Sequence, residues 1–138
     1  MIEIIAGAKG HGKTKILIQK VNDDIKLTKG TIVYLDKNSK HMYELSNQIR
    51  LIVVPEYGIT DTDMFIGFIA GIISQDHDLD KIYLDSFLTT ACINDNLEYA
   101  ISKLEILAQK YEVNFVISAS VDKVEIPESV QKYVTVAL

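Results

Sequence analysis

The run Gly7-Ala8-Lys9-Gly10-His11-Gly12-Lys13-Thr14 sets two glycines at the ends of a six-residue span and follows the second with a lysine and a hydroxyl. This is the spacing G-x-x-x-x-G-K-[ST] of a phosphate-binding loop, with every defined position met. Glycine at positions 7, 10 and 12 allows backbone angles and close approaches that a Cβ blocks, so successive amide N–H groups can turn inward around a phosphate. Lys13 is expected to reach the β- and γ-phosphates of a nucleotide, and Thr14 Oγ to ligate Mg²⁺. Ala8, Lys9 and His11 complete the cradle, His11 either touching phosphate or facing water.

Mg²⁺ in such a site calls for an acid at the end of a neighbouring strand, holding the ion through a water. Two segments fit. Lys81-Ile82-Tyr83-Leu84 is an apolar strand ending in Asp85, and Thr31-Ile32-Val33-Tyr34-Leu35 is one ending in Asp36. Asp85 is the candidate and Asp36 the alternative.

The elements that would position these residues alternate along the chain. Met1–Ala6 is a β-branched run that delivers the loop, and a helix begins at Lys13, its positive dipole end beneath the phosphates. Ile16, Leu17, Val21 and Ile25 sit at helical spacing, with Gly30 as a stop. Ser39–Gln48 reads as a short helix and Arg50–Val54 as a strand closed by Pro55. Thr60 and Asp63 resemble a capping box before a helix that is apolar on nearly every side, Phe65, Ile66, Phe68, Ile69, Ile72 and Ile73. Such a helix needs the sheet on one side and something further, a partner included, on the other. Leu97, Ala100, Ile101, Leu104 and Leu107 form the stripe of a later helix. Val113–Ser118 and Tyr133–Leu138 are the last strands, with Pro127-Glu128-Ser129 as a turn between them. Strands alternating with helices predict a three-layer α/β/α domain around a mostly parallel sheet of five or six strands.

The 138 residues are enough for one domain with its own core, here read as 1–138. A formal net charge of −5 argues against a surface built for non-specific nucleic-acid binding. Cys92 has no second cysteine to pair with, and the first residues enter a strand rather than a signal peptide, so a reducing cytoplasm is the expected setting. The longest apolar run, Met64–Ile73, is about half what a membrane span needs, so the protein is expected to be soluble. The acidic loop Gln75–Asp80 reads as solvated surface, and Cys92 as filler.

The order of parts resembles the core of the RecA/DnaB/KaiC-like ATPases: the P-loop strand, an acid-ended strand, the strand ending Leu84-Asp85-Ser86, the helix ending Leu107-Ala108-Gln109-Lys110-Tyr111, the strand Phe115–Ser120 and a terminal strand. It is also similar, over fewer features, to small proteins grouped with the twitching-motility pilus ATPases. The first resemblance implies ATP with Mg²⁺ as ligand, a sheet in which the Val113–Ser118 strand lies between the P-loop and Asp85 strands, and often ring-forming homo-oligomers. It implies a γ-phosphate sensor at Ser118 or Ser120, residues that equally serve as strand caps. A guanine-reading Asn-Lys-x-Asp motif does not follow the sheet.

The departures from that family bear on chemistry. Where it commonly carries a catalytic glutamate, two residues beyond an acid like Asp36, this chain has Asn38, and the residue after Asp85 is Ser86. Glu44 and Glu56 remain as candidate bases. Of 14 basic residues only Arg50 is arginine, so an arginine finger is Arg50 or comes from another protein. The expectation is an ATP·Mg²⁺-binding protein with weak or partner-dependent ATPase activity. The alternative is a non-enzymatic nucleotide-responsive adaptor or assembly module. A small-molecule kinase, which would bring lid arginines to the transferred phosphate, fits less well.

Overall fold

The structure, a computed structural model, describes residues 1–138. The β-branched runs become six strands of one sheet: β1 (Ile2–Ala6), β2 (Thr31–Asp36), β3 (Arg50–Val53), β4 (Leu79–Leu84), β5 (Asn114–Ala119) and β6 (Val134–Ala137). Their order is β3-β2-β4-β5-β1-β6, and every neighbouring pair is parallel. This is the RecA-like order, with β5 between β1 and β4. Parallel pairing forces each connection to cross over the sheet, which is why helices cover both faces.

The two faces are covered unequally. Successive side chains of a strand point to opposite faces. Ile5, Ile32, Tyr34, Tyr83 and Val116 pack against Leu17, Ile18 and Val21 of α1 (Lys13–Leu27), which with Ile49 makes the smaller core. Ile4, Leu35, Leu84 and Ile117 point the other way. They meet Phe65 and Ile69 of α2 (Thr62–Ser74), Phe87 of α3 (Phe87–Thr90), Ile101 and Leu104 of α4 (Leu97–Tyr111), and Val130 of α5 (Glu128–Gln131).

Several local expectations are corrected. Ser39–Gln48 forms only a 3₁₀ turn, Met42–Glu44, with no buried residue. Side chains outside the segment bind its backbone in place of a continuing helix: Asn38 Oδ1 accepts the Lys40 N–H, and Asn22 of α1 caps the segment through the Glu44 carbonyl and the Ser46 N–H. The cap of α2 is Asp61, whose carboxylate accepts the Met64 N–H at 2.8 Å, while the Thr60 hydroxyl turns to Met64 sulfur. Ile66 and Phe68 of α2 pack partly into the larger core, and its exposed positions are Asp63, Met64, Gly67, Gly71 and Ser74. Pro127–Ser129 leads into α5 rather than forming only a turn, and α3 has no counterpart in the periodicity of the sequence. No helix is long and apolar enough to cross a membrane.

Candidate functional site

The loop after β1 turns twice through the left-handed region, Gly10 and Gly12 both having φ +87°. An L side chain at either position costs roughly 1–2 kcal/mol, so glycine is what lets the loop curl and hand over to α1 at Lys13. Lys13 is 6% exposed, and its ammonium donates to the Ala8 carbonyl at 3.1 Å, lying back across the loop. Burial pulls its pKa below the ordinary lysine value, against the opposing pull of Asp85.

Asp85 stands just past β4 and is 1% exposed. A buried carboxylate is costly unless hydrogen-bonded, and this one accepts from four donors. Its Oδ1 takes the Thr14 hydroxyl at 3.2 Å, the Ser118 hydroxyl at 2.7 Å and the Ser86 N–H at 2.8 Å. Its Oδ2 takes the Tyr34 hydroxyl at 2.7 Å. Tyr34 is wholly buried on the α1 face and stacks on Tyr83, with ring centroids 6.0 Å apart. Burial and the Asp85 charge both push the Tyr34 phenol far above its usual range, so it remains a donor. Ser86 adopts φ +52°, uncommon for a residue with a Cβ, and its N–H also donates to Ser118 Oγ at 2.9 Å. Backbone strain is thus held in place at the root of the cleft.

These groups line a cleft of about 230 Å³, and no apolar side chain contributes to its wall. Lys9, Gly10, Gly12, Lys13 and Thr14 come from the loop, Asp85 and Ser86 from the end of β4, Ser118 and Ser120 from the end of β5, and Lys37 from the end of β2. Three cations, one carboxylate and hydroxyls suit a charged oxygen-rich ligand with a metal ion rather than an apolar one. The Thr14 hydroxyl commits its proton to Asp85, which leaves its lone pairs free to accept.

The remaining sequence candidates lie elsewhere. Gly7 and Ala8 shape the loop from behind, and His11 is exposed outside the cleft wall. Asp36 is 3% exposed and accepts the Lys37 N–H at 2.7 Å; burial and then the Asp85 charge push its carboxyl up to about 6. Asn38 is exposed, committed to the turn with Lys40. Glu44 is exposed and pairs with His41 at 2.5 Å, and Glu56 is exposed on the turn after β3. Arg50 lines a different cleft, with Ile52, Phe68 and Gln75. Sequence reasoning did not single out Tyr34 or Lys37. The available signal for Tyr34 was strand period, which puts it on the same face as Asp36.

The fold recurs in solved structures. The flagellar accessory protein FlaH from Methanocaldococcus jannaschii superposes with a TM-score of 0.59 at 14% identity, over 95% of this chain and 65% of FlaH. The chain therefore spans slightly under two thirds of that protein. PCH-2 of C. elegans aligns with a TM-score of 0.48 at 10% identity, over 98% of this chain and 33% of its own, too loosely to enter the argument. No protein-family model matches the chain, and no curated protein matches it in sequence. The class these features define is a P-loop NTPase-like α/β fold.

Proposed function

We propose that residues 1–138 form one nucleotide-binding domain that holds ATP with Mg²⁺ in the Gly7–Thr14 cradle. The carrying observation is the Thr14 hydroxyl hydrogen-bonded to Asp85 Oδ1 at the floor of a glycine-turned loop that opens the N-terminus of α1. In this reading the loop amides and the α1 dipole take the phosphates, and Lys13 leaves the Ala8 carbonyl for them. Thr14 would bind the metal directly and Asp85 through a water; Asp85 lines the cleft and Asp36 does not. Mg²⁺ supplies charge neutralisation of the phosphate oxygens when bound. Ser118 acts on Asp85, and Ser120, exposed at the cleft rim, is the better placed of the two to meet a phosphate.

Turnover by the chain alone is slow in this reading. Asn38, Glu44 and Glu56 all stand outside the cleft, and Arg50 lines another, so a water-orienting carboxylate and a transition-state cation would have to come from a partner or a second copy. The same placements favour, as a second reading, a nucleotide-responsive adaptor. Thermal melts test the common core of both. A ligand at a hundred times its dissociation constant adds about 2.7 kcal/mol, so millimolar MgATP should raise the midpoint by several degrees and Lys13→Ala should abolish the rise. A wild-type midpoint unmoved by MgATP would sink the assignment.

A further inference from the structure

We propose that Lys37 is the residue with which this site distinguishes a nucleoside triphosphate from a diphosphate, its ammonium contacting the terminal phosphate. The inference rests on the nucleotide reading above and assigns a role to a residue outside the loop motif. Strand register sets its height. Leu35 is level with Leu84, Leu84 with Ile117, and Ile117 with Ile4. Two residues further along, Lys37 leaves β2 at the level of Ser86, Ala119 and Ala6, where the phosphate loop begins. Its anchoring is firm, because its N–H donates to the buried Asp36 carboxylate at 2.7 Å while its own side chain is exposed and lines the cleft.

Charge completes the argument. Of the three lysines lining the cleft, Lys9 and Lys13 belong to the loop, and Lys37 alone approaches from the opposite wall, beyond Asp85. The chain's arginine is committed to another cleft, so Lys37 is the cation available there without a partner. Removing the terminal phosphate takes about one negative charge from the bound nucleotide, and a lysine facing that phosphate loses its counter-charge with it.

The test compares MgADP with the Mg²⁺ complex of an ATP analogue whose β–γ bridge cannot be hydrolysed, by calorimetric titration. Wild type should prefer the analogue. Lys37→Ala and Lys37→Gln should weaken analogue binding by about tenfold or more, the scale of one charge-assisted hydrogen bond, and leave MgADP within about twofold. Lys37→Arg should restore the preference. Because the side chain is exposed, melting of the unliganded variants should match wild type. Equal losses for both ligands, or no loss for either, would overturn the role of Lys37 while leaving nucleotide binding intact. Wild type binding neither ligand would overturn the nucleotide reading itself, and this inference with it.

Discussion

Replacing Asp36 with asparagine should stabilise the protein at neutral pH. Asp36 is 3% exposed, lies beside the Asp85 carboxylate, and has one hydrogen bond, from the Lys37 N–H. Burial first and Asp85 second push its carboxyl from 3.8 up to about 6, against smaller opposing contributions from Lys37 and His41. Between these values the native chain holds a proton that the unfolded chain has released, so stability falls as pH rises through that window. Above about pH 6 the cost is complete. A rise of this size corresponds to about 3 kcal/mol. The amide introduced by Asp36→Asn would keep an acceptor for the Lys37 N–H and carry no charge. Urea denaturation of wild type and Asp36→Asn from about pH 4 to pH 7.5 should show a stability gap that is smallest in acid and widens in favour of the variant by about 3 kcal/mol. Carboxylates remote from Asp36 titrate alike in both proteins and cancel in the difference. A gap independent of pH, or one that widens toward acid, would refute the reasoning.

Tyr34→Phe keeps the ring stacked on Tyr83 but leaves Asp85 Oδ2 without its donor, so it should cost about 1.5–3 kcal/mol in urea denaturation; a cost below about 0.5 kcal/mol would show that the bond is not maintained. Steady-state phosphate release by the isolated chain should fall well below about 1 s⁻¹, the low end of typical enzyme turnover, and Glu44→Gln and Glu56→Gln should leave it unchanged, since both side chains stand outside the cleft. Fast turnover abolished by either variant would identify a base that the geometry does not place.

What could be read from the chain follows from the range of the forces involved. Strand period, acid-ended strands and the glycine spacing are local signals. The sheet order followed from resemblance to a family, and the observed position of β5 between β1 and β4 agrees with it. Ser39–Gln48 misled because Asn22, from a different element, organises the segment through side-chain-to-backbone bonds. The short α3 was missed because its start depends on Ser86 at positive φ, a conformation held by Ser118 from β5. Tyr34 and Lys37 escaped for the same reason. Their relation to Asp85 crosses from β2 to β4, and only the strand order and register bring them to the cleft.

The most direct measurement is a crystal structure with Mg²⁺ and the non-hydrolysable ATP analogue. The phosphates should lie in the Gly7–Thr14 loop, with the Lys13 ammonium swung from the Ala8 carbonyl to the phosphate oxygens, Thr14 Oγ1 on the metal and Asp85 one water beyond it. Nucleotide bound in the Arg50 cleft, or metal held by Asp36 with Thr14 still turned only to Asp85, would contradict the account.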